Sequence, residues 1–393
     1  MKKWNGGAVT LACDALRERI AGKKIALMMN TTATDNEGRL LLDVIVREKW
    51  AEVAFFFGME HGVRGDLYGG DGKLSDVDAK TGIRIVNLYK YPELRPPVSE
   101  IEKVEAVVFC AQDVGVRHWT YTPWLLTLVE ECAKADREVI ILDRPNPIRG
   151  DIVEGGIPKD PYRARQIGLI SGVDYPLRHG MTIGELALMH NDLRKIGAKI
   201  TVLTMQGWRR DMWYDETGLM WLPASPNMPD TDTPLFFAAT GLMQAASFSF
   251  GFGTTTPFEY IGAPDFDGDL LADELNKLHL PGVYFVQKYY RSQVFAEGST
   301  TEHTMALCNG VLLVIEDREA FRPVETQLHI MDTINRLFYD KVNFEHARGA
   351  RLRMCCDNVC DALAAGESLA PITREWKAES EAFKRTREKY LLY

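Results

Sequence analysis

The sequence predicts an α/β protein in which a doubly wound parallel sheet is followed by a second α/β domain and a C-terminal helix. Five apolar runs in the first 145 residues have the length of strands, and helical spacing of apolar residues occurs between them. The runs are continuously apolar, which is typical of parallel strands that are buried on both faces. Strands that alternate with helices in this way build a layered α/β architecture.

The predicted strands end in polar residues that mark a candidate binding crevice. The strands are predicted at residues 24–30, 53–59, 83–89, 106–112 and 139–145, and the helices between them at 40–50 and 124–135. Four strands are followed by polar clusters, namely Asn30, Thr31 and Thr32; Glu60 and His61; Gln112 and Asp113; and Asp143, Arg144 and Asn146. Ligands of open parallel sheets bind beyond the carboxyl ends of the strands, so these clusters are expected to converge.

The pattern changes after a glycine- and proline-rich passage at residues 148–162. A helix follows, in which Thr182 and Glu185 have the spacing of a capping box, and a strand is predicted at 199–205. Strand and helix patterns then alternate to about residue 345. We predict three parts, namely a Rossmann-like first domain over 1–165, a second α/β domain that closes the cleft over 166–345, and a tail over 346–393.

The tail has the pattern of a terminal helix. It is rich in charged residues, and Trp376, Phe383 and Tyr390 are spaced by seven residues. Side chains with this spacing lie on one face of a helix. We therefore expect the tail helix to dock on the body of the protein through these three aromatic side chains.

Composition excludes several classes of partner. The chain has 46 Lys and Arg against 55 Asp and Glu, a formal charge of −9, and no basic block. We therefore predict no nucleic-acid partner and no membrane partner. The absence of a long apolar run favours a cytoplasmic protein. The oligomeric state stays open.

The seven cysteines fit a reducing compartment, because their number is odd and most are scattered through core patterns. Only Cys355, Cys356 and Cys360 cluster, on a predicted helix. Their spacing matches no zinc pattern, so we interpret them as small buried residues and predict no metal.

Glu60 is the strongest candidate for acid catalysis. It emerges directly from the apolar strand at 53–59, together with His61. Apolar walls favour the protonated form of a carboxyl group, which a general acid requires. The alternative is that Glu60 only forms a salt bridge with the nearby Arg64.

The segment from Gln112 to Tyr121 is a candidate carbohydrate-binding segment. Gln112 and Asp113 precede a glycine turn, Arg117 and the aromatic Tyr121. Polar side chains beside an aromatic platform suit sugar hydroxyls. The structural alternative is that Asp113 caps a helix and pairs with Arg117. Asn146 lies between two prolines, in a rigid turn that is expected to position other groups.

Two further segments have both functional and structural interpretations. Glu154 lies in a glycine-flanked loop, where a solvated glutamate is the simpler interpretation. Separately, residues 205–229 contain three tryptophans interleaved with Arg and Asn. Trp208, Arg209 and Asn227 in this stretch suit a carbohydrate with a carboxylate. Burial of a domain interface is the alternative. Residues 251–255 lack the spacing of a phosphate loop, so we predict no nucleotide cofactor.

Several motifs together resemble one known family. They are M-E-H-G-V-R-G-D (59–66), Q-D-V-G-V-R-H-W-T-Y (112–121), L-D-R-P-N-P-I (142–148), V-E-G (153–155), P-L-R-H-G-M-T-I-G-E-L-A (176–187), M-Q-G-W-R-R-D-M-W-Y-D-E-T-G (205–218), S-P-N-M-P (225–229) and P-F-E-Y-I-G-A-P (257–264). In this order they resemble the NamZ-type exo-β-N-acetylmuramidases, from about residue 25 to the end.

The resemblance implies a glycoside hydrolase that releases terminal N-acetylmuramic acid, or a related amino sugar, from peptidoglycan fragments. It implies a Rossmann-like domain, a cleft between two domains and no cofactor. Glu60 and Glu154 become the candidate catalytic carboxylates, with Glu60 as the acid, while retention and inversion both stay open. The implied substrate-binding residues are His61, Arg64, Gln112, Asp113, Arg117, Tyr121, Asn146, Arg178, His179, Trp208, Arg209 and Asn227.

Three positions depart from the family pattern. Phe250 and Phe252 stand where an acid and an arginine are usual, and Gln244 replaces another acid. An arginine is the natural partner of the lactyl carboxylate of muramic acid. The departures favour a second hypothesis, a muropeptide-binding relative with no turnover or altered specificity. A third is metal-assisted hydrolysis by His61, Asp113 and Asp143.

Overall fold

Six parallel strands form the larger sheet of the protein. The computed structural model describes residues 8–67, 75–163, 172–245, 248–293, 303–342, 344 and 348–393. The strands are β1 Lys24–Met29, β2 Glu52–Gly58, β3 Ile85–Asn87, β4 Ala106–Cys110, β5 Glu138–Leu142 and β6 Lys199–Leu203. Their order is β3-β2-β1-β4-β5-β6, which confirms the doubly wound prediction. The order reverses between β1 and β4, where such folds bind ligands.

A smaller antiparallel sheet and eleven helices complete the described part of the chain. The additional strands are β7 Tyr260–Ala263, β8 Val283–Tyr290 and β9 Cys308–Ile315, in the order β7-β9-β8. The helices are α1 Cys13–Ile20, α2 Leu41–Arg47, α3 Val98–Ile101, α4 Tyr121–Lys134, α5 Ile183–Leu193, α6 Thr233–Thr240, α7 Gly268–Asn276, α8 Pro323–Phe338, α9 Arg348–Met354, α10 Asn358–Ala364 and α11 Ala370–Arg387. Within the described ranges, no helix has the length and apolar character needed to cross a membrane.

The large sheet is buried on both faces, which explains its continuously apolar strands. In β1, Ala26 and Met28 belong to one apolar cluster, whereas Ile25 and Leu27 belong to a second. Successive side chains of a strand point to opposite faces, so each face packs against its own layer of helices. The sequence reads as continuously apolar because neither face meets water.

Strand β6 belongs to the large sheet, although it follows the predicted domain boundary at residue 165. Lys199 pairs with Glu138, and Leu203 pairs with Leu142. The first sheet therefore extends past the predicted boundary, because the capped helix α5 returns the chain to the sheet edge. The capping box itself is present, since the backbone N–H of Thr182 donates to Glu185 Oε2 at 3.0 Å.

The C-terminal tail docks on the large-sheet layer, with the predicted face buried. Trp376, Phe383 and Tyr390 are all buried. The hydroxyl of Tyr393 donates to Asp143 Oδ2 at 2.8 Å and accepts from the Met205 N–H at 3.0 Å. The end of the chain is therefore part of the core.

The cysteine cluster differs in detail from the prediction. Cys355 and Cys356 lie in the connection between α9 and α10, and only Cys360 is helical. The single helix that we predicted is interrupted because Cys355 has a φ of +52°, which ends the first helix. All seven cysteines are buried, and no disulfide bond joins them.

We expect Glu259, beside the small sheet, to make the stability of the protein depend on pH. Burial, followed by the charges of Asp230 and Asp232, raises its pKa from 4.5 to about 7. The folded state therefore favours the neutral acid, and this contribution to stability is lost as pH rises through about 7. We expect Glu259→Gln to match the wild-type melting temperature at pH 4.5 and to exceed it at pH 8. The exposed Glu367→Gln is the control, and a pH-independent difference for Glu259→Gln would contradict this origin.

Candidate active site

Glu60 lies at the carboxyl edge of the large sheet, two residues beyond β2. Its side chain is half-buried, and Oε2 accepts a 2.5 Å hydrogen bond from Thr120 Oγ1. Thr120 precedes α4, whose first residue is Tyr121. Burial, followed by the negative charge of Glu60, raises the pKa of Tyr121 well above its usual value. The end of β2 and the start of α4 therefore meet at Glu60.

Tyr121 connects this edge to the segment containing S-P-N-M-P. Its hydroxyl donates to the Ala224 carbonyl at 2.6 Å. The hydroxyl of Ser225 accepts from the Asn227 N–H at 3.2 Å, which forms a tight turn in which Asn227 is buried. Asn227 is therefore held three residues after Ala224, whose carbonyl accepts the hydrogen bond from Tyr121.

Arg353, on α9, is a site residue that the sequence analysis missed. Its side chain is half-buried. Burial lowers its pKa, and the negative charge of Glu60 opposes this shift. It forms no hydrogen bond or ion pair with the residues that the structure describes. It belongs to none of the motifs quoted above, so no sequence signal indicated it.

Arg117 holds the end of α9 in place. Its guanidinium is fully buried and donates to the carbonyls of Met354, Gly156 and Tyr175 at 2.5, 2.7 and 3.0 Å. All three acceptors are backbone groups from separate segments. Arg117 therefore ties α9 to the large-sheet layer, and it does not form the predicted alternative pair with Asp113.

Asp113 and His179 lie next to each other and are buried beyond the end of β4. Asp113 accepts from the Gly115 N–H at 2.6 Å and from Thr122 Oγ1 at 2.9 Å. His179 Nε2 lies 3.3 Å from Asp113 Oδ2, and its side chain is fully buried. Their contacts fix the loop between β4 and α4, and with it the position of Thr120.

Gln112 and Asn146 bond to backbone groups in the same layer. Gln112 Nε2 donates to the Pro145 carbonyl at 2.8 Å, and Asn146 Nδ2 donates to the Met181 carbonyl at 3.0 Å. Arg144 Nε donates to Gln112 Oε1 at 3.1 Å. These buried side chains bond the segments that follow β4 and β5 to one another.

Arg64 is paired away from Glu60. Its guanidinium donates to both carboxylate oxygens of Asp78 at 2.8 Å and to Asp43 at 2.9 Å. The hydrogen bonds from Arg64 are the main reason that the pKa of Asp78 lies below its usual range. The predicted alternative, a Glu60–Arg64 salt bridge, is absent. His61 has a φ of +65°, and its Nδ1 lies 3.2 Å from the Leu67 carbonyl, so it shapes the turn after Glu60.

Glu154 has a separate set of partners. Its Oε1 accepts from Arg178 Nη1 at 2.7 Å, and its Oε2 accepts from the Val324 N–H at the start of α8 at 3.2 Å. Arg178 is fully buried and also donates to the Ile148 carbonyl. Glu154 borders a cavity of about 620 Å³ between the 151–155 loop, α8 and α11, and Glu60 does not line that cavity. Glu60 and Glu154 therefore have different hydrogen-bond partners, and the cavity beside Glu154 does not include Glu60.

The contacts of Trp208 and Arg209 involve residues other than Glu60 and Thr120. Trp208 is buried edge-to-face against Tyr393, with ring centroids 5.1 Å apart. Arg209 is exposed and pairs with Asp211 at 3.2 Å. These contacts favour the packing alternative for the tryptophan-rich stretch, because Trp208 covers the C-terminal residue.

Phe250 and Phe252 pack with Phe258 in one aromatic cluster. The Phe250–Phe252 and Phe252–Phe258 centroid distances are 4.5 and 5.1 Å. The two departures from the family pattern thus join the hydrophobic core. The side chain of Gln244 lies outside the described residues.

The three residues of the metal hypothesis have separate partners. His61 and Asp113 have the contacts given above, and Asp143 accepts from the Gly184 N–H at 3.0 Å and from Tyr393. Across the ranges that the structure describes, no group of three His, Cys, Asp or Glu side chains is placed to bind a metal ion.

Two family descriptions together match almost the whole chain. "Exo-beta-N-acetylmuramidase NamZ, N-terminal" matches residues 25–232, and "Exo-beta-N-acetylmuramidase NamZ, C-terminal" matches residues 235–393. The "Peptidoglycan beta-N-acetylmuramidase NamZ" of Bacillus subtilis (strain 168) is 35% identical over 389 residues, which cover 98% of this chain and 91% of that protein.

Two crystal structures share the fold. Both are of DUF1343 family proteins from Bacteroides fragilis NCTC 9343. One has a TM-score of 0.87 at 28% identity, and the other has 0.77 at 27%. Each match covers 98% of this chain and 99% of the other. The chain belongs to the NamZ family of exo-β-N-acetylmuramidases.

Proposed function

We propose that this protein is an exo-acting glycoside hydrolase that releases a terminal N-acetylmuramic acid from peptidoglycan fragments, with Glu60 as the general acid. Family membership supports the reaction. The hydrogen bonding of Glu60 is the observation that carries its assignment as the acid. Its carboxyl group accepts a hydrogen bond from the neutral hydroxyl of Thr120, and no arginine among the described residues donates a hydrogen bond to it. A carboxyl group held in this way has an oxygen available for the substrate.

In the proposed reaction, Glu60 donates its proton to the glycosidic oxygen as the bond to the anomeric carbon breaks. Positive charge develops at that carbon, and a water molecule bonds to it and releases a proton. The ionised Glu60 then takes up a proton from solvent, which restores the acid for the next turnover. Thr120 orients the carboxyl group, while His61, Tyr121 and Asn227 shape the sugar subsite. We assign framework roles to Arg64, Gln112, Asp113, Arg117, Asn146 and His179, because each of these side chains already makes at least one hydrogen bond to another protein group.

For Glu154 we propose a positioning role. It neutralises buried Arg178 and caps α8, so its carboxylate is already engaged by two protein groups. The proposal includes no cofactor, no nucleic acid and no membrane partner. We place the protein in the cytoplasm, and its seven buried cysteines, none paired with another, support that location.

Hydrolysis assays test the function directly. The purified protein is incubated with para-nitrophenyl β-N-acetylmuramide and with a disaccharide that carries N-acetylmuramic acid at its non-reducing end. We expect release of para-nitrophenol and of free N-acetylmuramic acid. Saturable calorimetric binding of the disaccharide without any release would favour the muropeptide-binding alternative and overturn the hydrolase.

A further inference from the structure

Most arginines around the candidate site are engaged by protein groups. Arg64 is paired with Asp78 and Asp43, and Arg117 is bonded to three carbonyls. Arg178 is paired with Glu154. Arg144 donates to Gln112 and to the Thr34 carbonyl. None of these guanidinium groups offers a substrate the two parallel N–H bonds that a carboxylate prefers.

Arg353 differs from all of them. It is half-buried, it lies within electrostatic range of Glu60, and it has no hydrogen-bond or ion-pair partner in the described part of the chain. Even half-burial removes part of the hydration of a guanidinium, so a half-buried arginine without a protein partner gains from a ligand that supplies a negative charge. Since Arg117 bonds the adjacent Met354 carbonyl, the backbone that carries Arg353 is fixed before the ligand arrives.

The ligand chemistry follows from the proposed substrate. N-acetylmuramic acid differs from N-acetylglucosamine by a lactyl ether that ends in a carboxylate. We propose that Arg353 binds this carboxylate and thereby selects N-acetylmuramic acid over uncharged amino sugars at the site of Glu60. This inference rests on the proposed function, because it takes its ligand from the proposed substrate. Phe252 cannot make this ion pair, since its apolar ring packs against Phe250 and Phe258.

Equilibrium binding tests the inference without requiring turnover. The titrants are N-acetylmuramic acid and the primary amide of its lactyl group, which is nearly isosteric with the acid and has no charge. We expect the wild type to prefer the acid by about 10- to 100-fold, the range for one hydrogen-bonded charge pair. Arg353→Met is expected to bind both titrants equally, and Arg353→Lys, which keeps the charge without the fork, to show an intermediate preference.

Arg351→Met is the matched control, because it removes a guanidinium from the same helix that is paired with Asp361 at 2.6 Å. It is expected to keep the preference for the acid. An undiminished preference in Arg353→Met, or no preference in the wild type, overturns the inference. Failure of the proposed function has a different signature, namely absence of para-nitrophenol release by the wild type. If Arg353→Met does not fold, Arg353→Lys carries the test.

Discussion

Replacing Glu60 by glutamine is expected to lower hydrolysis of the N-acetylmuramic acid disaccharide by about 10²- to 10⁴-fold, the usual contribution of a general acid. Glutamine keeps the size of the side chain and can still accept the hydrogen bond from Thr120. The change therefore removes the transferable proton and leaves the packing intact. The melting temperature of the variant should match that of the wild type.

The leaving group separates acid catalysis from other roles of Glu60. A phenolate leaves without much protonation, so para-nitrophenyl β-N-acetylmuramide should lose much less activity in Glu60→Gln than the disaccharide does. The measurement is kcat/KM on both substrates, with the exposed Glu102→Gln as control. Equal losses on the two substrates, or wild-type turnover in the variant, would remove the assignment.

Replacing Glu154 by glutamine is expected to destabilise the fold by about 3–5 kcal/mol, as when one partner of a buried ion pair is removed. The side chain of Arg178 is 0% exposed and that of Glu154 is 11% exposed. Burial lowers the pKa of Arg178, and the charge of Glu154 opposes this shift. Without the carboxylate, the buried guanidinium stays charged and keeps neutral hydrogen-bond partners such as the Ile148 carbonyl, but it loses the negative charge that compensates it.

Urea unfolding measures this loss, and a double-variant cycle shows where it originates. The loss in Glu154→Gln with Arg178→Met should be smaller than the sum of the two single losses, because each single change already breaks the pair. Wild-type stability in Glu154→Gln together with lost turnover would contradict the positioning role. That result would instead support Glu154 as the second catalytic carboxylate, the role that the family resemblance implies.

Much of the fold was predictable because local pattern and tertiary environment agree. Continuously apolar runs correspond to strands such as β4, whose five residues are all buried between two helical layers. The Thr182 capping box and the spacing of Trp376 and Phe383 are local signals of a helix start and a helix face, and both are present. Strand β6 was predicted at the right place in the chain but was assigned to the second domain, because a strand pattern carries no information about which sheet the strand joins.

The candidate site was less predictable, because residue type does not show which groups are already paired. The sequence by itself determined the fold class, the family and the position of Glu60 at a strand end. Only the tertiary structure decided that Arg64, Arg117 and Arg178 are engaged by protein groups, while Arg353 has no hydrogen-bond or ion-pair partner among the residues that the structure describes. The physical reason is that a guanidinium is available to a ligand only when no carboxylate or carbonyl distant in the sequence occupies it. Such partners are set by packing, as when Met354 meets Arg117 across 237 positions of the chain.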